Sequence, residues 1–107
     1  SVTGIEGDLN LFSEIIRIFI SSYPHMLSQI REAILQNNAS GIESGAHALK
    51  GSANNFGAKK TVRLAQKLEM MGRTGTIAAA DEVFKELETE TRRLGKALEE
   101  SIPEGLH

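Results

Sequence analysis

The chain predicts an all-α fold, an up-down antiparallel four-helix bundle with an additional short N-terminal helix. Apolar residues recur at steps of three and four along nearly the whole sequence, the period of one helix face. No stretch reads convincingly as a strand. The turns fall where glycine, asparagine and proline cluster, and connections this short favour antiparallel neighbours.

Asp8 can cap a first helix in which Phe12, Ile15, Ile16, Phe19 and Tyr23 form the apolar stripe. Pro24, tolerated in a first turn, then opens a second helix carrying Met26, Leu27, Ile30 and Ile34. The break Asn37-Asn38-Ala39-Ser40 ends it, and Asn38 or Ser40 caps a third helix that stops at Gly57. A fourth helix from about Ala58 to Met71 buries some of Val62, Leu64, Ala65, Leu68 and Met71 and ends at Gly72. Thr74-Gly75-Thr76 leads into a long last helix with Ile77, Ala80, Phe84, Leu87, Leu94 and Leu98 in near-heptad order. Pro103 limits its extension, and the tail from Glu104 to His107 frays. The short first helix packs across one end of the bundle.

A length of 107 residues suits one domain, residues 1–107, with a single core. With five aromatics and no tryptophan, that core is mostly aliphatic. Twelve basic and 14 acidic residues leave a net charge of −2, which gives no argument for nucleic acid or an anionic membrane as partner. The absence of cysteine removes disulfides, thiolate metal sites and cysteine nucleophiles, and permits a reducing compartment. Leu11 to Ile20 is rich in isoleucine, but Ser13, Glu14 and Arg17 interrupt it and it is too short to span a bilayer. Neither signal peptide nor anchor is read, and a cytoplasmic location is expected.

The segment Ala46-His47-Ala48-Leu49-Lys50-Gly51-Ser52-Ala53-Asn54-Asn55-Phe56-Gly57 carries the chemistry. His47, Lys50, Gly51 and Asn54 stand at i, i+3, i+4 and i+7 and stack on one ridge of a helix. Ile42, Ala46, Leu49, Ala53 and Phe56 form a neighbouring core stripe. An interior glycine costs about 1 kcal/mol relative to alanine, so Gly51 requires a reason. The gap it leaves one turn from His47 would let another surface approach the imidazole. Lys50 sets a positive charge within reach of an anion attached to His47, and an exposed histidine nitrogen is a competent phosphoryl carrier.

These residues, with Gly57-Ala58 and Leu68-Glu69 one helix later, closely resemble the histidine phosphotransfer (HPt) domain of multistep phosphorelays. The likeness runs from Gly7-Asp8 to the helix ending near Leu98. It implies that His47 carries the phosphoryl group, that Lys50 assists electrostatically and that Gly51 makes room for the partner. Glu69 falls where family members often place a polar residue that hydrogen-bonds the imidazole; Asn54 is a possible partner contact. The implied partners are response-regulator receiver domains bearing a phospho-aspartate and magnesium, so no cofactor is expected on this chain. Starting at Ser1 without methionine, the chain reads as a module excised from a hybrid sensor kinase.

Blander readings exist for each residue. A lone histidine on a helix is usually a surface residue, an interior glycine can mark a close helix crossing, and Met70-Met71 reads as core and boundary packing. Glu43, four residues before His47, gives a zinc site only two ligands where three or four are needed. No phosphate-binding glycine loop is present, so an autonomous kinase is not expected. Two alternatives to the carrier remain: a helical interaction module in which His47 is structural, and a metal-dependent hydrolase. The apolar surplus of the first helix, including Leu11, Ile15 and Ile18, fits either a partner surface or burial under the bundle's end.

Overall fold

The computed structural model describes residues 4–106, which form four α-helices: α1 (Gly4–Leu35), α2 (Ala39–Asn54), α3 (Lys59–Thr74) and α4 (Ala80–Ser101), followed by a short 3-10 turn at Glu104–Leu106. Chain neighbours pack against each other, and α1 meets α4 to close the ring. The antiparallel sense follows from paired contacts. Tyr23 lies over Gly95 while Arg31 bonds Glu88, and His47 meets Glu69 while Lys50 reaches Gln66.

Where two N-terminal helices were expected, α1 is one helix of 32 residues with Pro24 inside it. A proline there forfeits one main-chain hydrogen bond and crowds the preceding turn. The apolar stripe explains the continuity. Phe19, Tyr23, Leu27 and Ile30 follow one another at helical spacing on both sides of Pro24, and all four join the same core. A break would have pulled one half of that row out of register. Among the described residues no separate short helix crosses the bundle's end.

Asn38 caps α2, its side chain accepting the Gly41 N–H at 3.0 Å. The helix proper stops at Asn54, and the chain turns through Gly57, whose φ of 63° is left-handed. The expected end of α3 at Gly72 lies too early. The helix continues to Thr74, and Gly75, with φ 76°, provides the left-handed cap. Gly72 is instead a crossing point, where a Cβ would stand 2.5 Å from the Glu43 nitrogen and 2.7 Å from the Ala39 oxygen. The start of α2 and the end of α3 therefore touch backbone to backbone.

Helix α4 begins at Ala80 rather than Ile77, with Asp81 and Glu82 in its first turn, the favoured sign at a helix N-terminus. Ile102 is extended, and Pro103 follows. Of the expected tail, Glu104–Leu106 forms the 3-10 turn and His107 lies outside the described residues.

The core is mostly aliphatic, with Phe19 and Phe84 as its buried aromatics: Ile16, Leu27, Ile30, Ile42, Leu49, Leu68, Phe84 and Leu87 are fully buried. Phe12 and Ile15, expected in the core, are exposed. Helix lengths explain this. At 1.5 Å per residue α1 spans about 48 Å, whereas α2 and α3, 16 residues each, span about 24 Å. The N-terminal part of α1 runs past them, lined instead by Pro103, Gly105 and Leu106. The molecule is accordingly elongated, 53 × 20 × 18 Å.

Candidate functional site

His47 projects from the middle of α2, on the side facing α3, with its side chain 68% exposed. Its Nδ1 lies 2.8 Å from Oε2 of Glu69, one of the four buried polar residues of the described chain at 2% exposure. Burying an ionised carboxylate is costly unless its charge is paired and hydrogen-bonded, and Glu69 collects three donors. Lys50 Nζ donates to Oε1 at 2.6 Å, His47 meets Oε2, and Arg73 Nη2 donates to Oε2 at 3.2 Å. The Lys50 hydrogen bond, followed by that of His47, holds the Glu69 carboxyl below the usual carboxylate range against a burial penalty that pushes the other way. Glu69 is thus an anion that only accepts hydrogen bonds. It follows that Nδ1 of His47 carries the hydrogen, and that a neutral imidazole presents its lone pair on Nε2.

A second layer steadies the first. Lys50 also donates to Oε1 of Gln66 at 2.9 Å, and Arg73 donates from Nε to Oε2 of Glu43 at 2.7 Å. The Glu43 carboxylate raises the Arg73 pKa further above its ordinary range. Glu43, weighed in the sequence as a companion of His47 in a metal site, is turned to Arg73 instead. Among the described residues no three of histidine, cysteine, aspartate or glutamate gather in a way that would hold a metal ion.

Gly51 is exposed one turn beyond His47, and a Cβ built there meets nothing within 4 Å. No internal crossing requires this glycine; that duty falls to Gly72. Asn54 continues the same ridge and is exposed. The structure brings His47, Lys50 and Glu69 into one hydrogen-bonded group, with Gly51 and Asn54 beside it on the open surface. Sequence reasoning missed Arg73 and Gln66, and missed that Glu43 partners Arg73. Arg73 stands four residues after Glu69, a spacing that signals an intrahelical pair; the other two depend on the register of α2 against α3.

Beyond the ridge, the seam between α1 and α2 opens into a groove of about 250 Å³ lined by Ile15, Ile18, Phe19, Ser22, Ser52, Asn55 and Phe56. Ile18 on its α1 side is 58% exposed, and Leu11, earlier on the same helix, is 62% exposed, so this part of the apolar surplus faces outward and is not covered by the bundle's end. Met71 packs against the core as expected, but Met70 is exposed. No helix among the described residues is long and apolar enough to cross a membrane.

In a comparison with known families, the model for the Hpt domain matches residues 14–99. No curated protein and no solved structure matches the chain.

Proposed function

The chain belongs to the Hpt domain family, whose members are phosphocarrier modules that work with response-regulator receiver domains in phosphorelays, and from that premise we propose that it relays a phosphoryl group between receiver aspartates with His47 as the carrier. The observation that carries this reading is the pairing of a buried, ionised Glu69 with Nδ1 of an exposed His47.

The step begins with a phosphorylated receiver docked over the ridge. Nε2 of His47 attacks the phosphorus in line, the N–P bond forms as the P–O bond to the aspartate breaks, and the carboxylate leaves with the electron pair. Nδ1 keeps its proton throughout. The ring gains positive character as Nε2 bonds to phosphorus, and Glu69 lies where that charge develops. The reverse step hands the group to a second receiver. Lys50 acts here in two ways: it fixes the Glu69 carboxylate, and its charge favours an anion on the neighbouring ring. Gly51 leaves the clearance the partner needs, and Asn54 offers it a polar contact. The receiver brings the magnesium ion, so this domain supplies a nucleophile and a surface rather than autonomous kinase activity.

Residues 1–107 act as one domain in this reading, on the cytoplasmic side, as a module of a hybrid sensor kinase. The groove lined by Ile15 and Ile18, together with the exposed Leu11 on the same helix, serves as the apolar part of the docking face.

The test is incubation with a phosphorylated receiver, comparing the wild-type chain with His47→Gln. Base-stable, acid-labile label that disappears in the variant supports the carrier. Equal labelling of both proteins rejects His47, and no labelling of either favours a helical interaction module.

A further inference from the structure

Charge is unevenly divided over the bundle. Helix α3 holds five of the chain's 12 cations, Lys59, Lys60, Arg63, Lys67 and Arg73, but only one of its 14 acids, the buried Glu69. Lys60 is paired with Glu90 and Arg73 with Glu43. Lys59, Arg63 and Lys67 are exposed, and no ion pair among the described residues engages them. The other helices differ. Of the six cations on α1 and α4, Arg17, Arg31, Lys85, Arg92 and Arg93 lie against a carboxylate of those helices, and Lys96 alone, among the described residues, makes no ion pair.

Local structure gives no reason for this arrangement. Lys59 opens α3, where the helix dipole is positive and disfavours a cation, and no acid lies in that first turn. By spacing, Lys59, Arg63, Gln66, Met70 and Arg73 follow one another at i, i+4, i+7, i+11 and i+14, which is a single ridge. It flanks the site, because Gln66 bonds Lys50 and Arg73 bonds Glu69. Met70 sets an exposed apolar side chain among these cations, and an apolar residue ringed by charge is the anatomy of a protein contact.

We infer that the α3 ridge of Lys59, Arg63 and Met70 is an electrostatic docking face that draws in the carboxylate-rich rim of the phosphoryl-donating partner and orients it over His47. The inference rests on the carrier reading above. Its partner chemistry follows from the transfer itself: a phosphoryl site built on an aspartate, with a hard cation held by oxygen ligands, is ringed by carboxylates. Charges at the rim of such a contact govern association rate and salt sensitivity more than final affinity. The groove at α1 and α2 would hold the partner; the ridge on α3 would bring it in.

The experiment measures initial rates of phosphoryl transfer from a phosphorylated receiver between about 0.02 and 0.3 M NaCl. It compares wild type, Lys59→Glu/Arg63→Glu, and a control, Lys85→Glu/Lys96→Glu, on α4. Wild type and control should slow by about tenfold across that range, while the α3 double variant starts about tenfold lower and loses the salt dependence. Its final extent of His47 phosphorylation should equal that of wild type. An α3 variant with the wild-type salt slope overturns the docking face while leaving the carrier intact. Failure of wild type to accept label from any receiver removes the carrier reading, and this inference with it. Cosedimentation of wild type, but not of the α3 variant, with phosphatidylserine vesicles would assign the ridge to a membrane instead and also overturns the proposal.

Discussion

Lys50 reaches across the seam between α2 and α3 to place its Nζ 2.6 Å from Oε1 of Glu69, while the other oxygen of the same carboxylate faces His47. One buried anion therefore fixes both the ammonium group and the imidazole. The two roles can be separated by substitution.

Glu69→Gln keeps the shape and removes the charge. Lys50 and Arg73 lose their shared anion, and an amide can turn an N–H toward one of them. Such a loss in a buried network costs about 2 kcal/mol, read as a lower urea midpoint. Phosphoryl transfer to His47 should also slow, read as the initial rate of labelling from a phosphorylated receiver. An unchanged rate would mean that the carboxylate does not act on the ring.

The same carboxylate predicts a pH dependence of stability. Its folded pKa is lowered from an ordinary value of 4.5, so the unfolded chain binds the proton more readily. The stabilisation is fully present above that ordinary value and is lost as pH falls through the depressed folded one. Wild type should exceed Glu69→Gln by a constant margin at neutral pH, and the margin should shrink in acid below the ordinary value. Denaturation curves at several pH values check this.

Gly51 faces open space, so side chains there should fit within the isolated domain. Gly51→Ala should gain up to about 1 kcal/mol from helix propensity, and Gly51→Leu should keep the fold. The leucine variant should nevertheless transfer phosphoryl about tenfold more slowly, for steric exclusion worth about 1.4 kcal/mol. Equal transfer rates would remove the clearance role.

Gly72 makes the opposite prediction. A Cβ there would overlap main-chain atoms of Ala39 and Glu43, which cannot rotate away. Gly72→Ala should cost about 3 kcal/mol despite the better helix propensity of alanine, seen as a large drop in Tm.

Ile18→Asp should leave helicity and Tm near wild type, because the side chain is already exposed. Receiver binding should weaken about tenfold or more if the groove is part of the docking face, as measured by calorimetry. Loss of the fold would instead make Ile18 a structural residue.

Much of the fold was legible because helix faces repeat with a period the sequence displays. Ile42, Ala46, Leu49 and Ala53 are all buried on the stripe their spacing predicted, and Asn38 caps the helix it precedes. Pro24 misled, since a proline at a helix start and one tolerated in a helix interior look alike until the stripe on both sides is followed across it. Gly72 misled for a related reason: glycine as terminator and glycine as contact point are the same letter, and only the approach of α2 distinguishes them. At the site, the ridge from His47 to Asn54 could be drawn from one helix. The pairing of Arg73 with Glu43 could not, because it joins residues 30 apart across a register that no local pattern encodes.

The backbone contact at Gly72 also bears on the kinetics of carriage. It lies about one turn from Glu69 on α3, while the atoms it touches lie about one to two turns from His47 on α2. Main chain resting on main chain acts as a hard stop, so the two helices cannot close further at this end. The pairing of His47 with Glu69 is thus already assembled in the isolated chain, with no partner needed to bring the two side chains together.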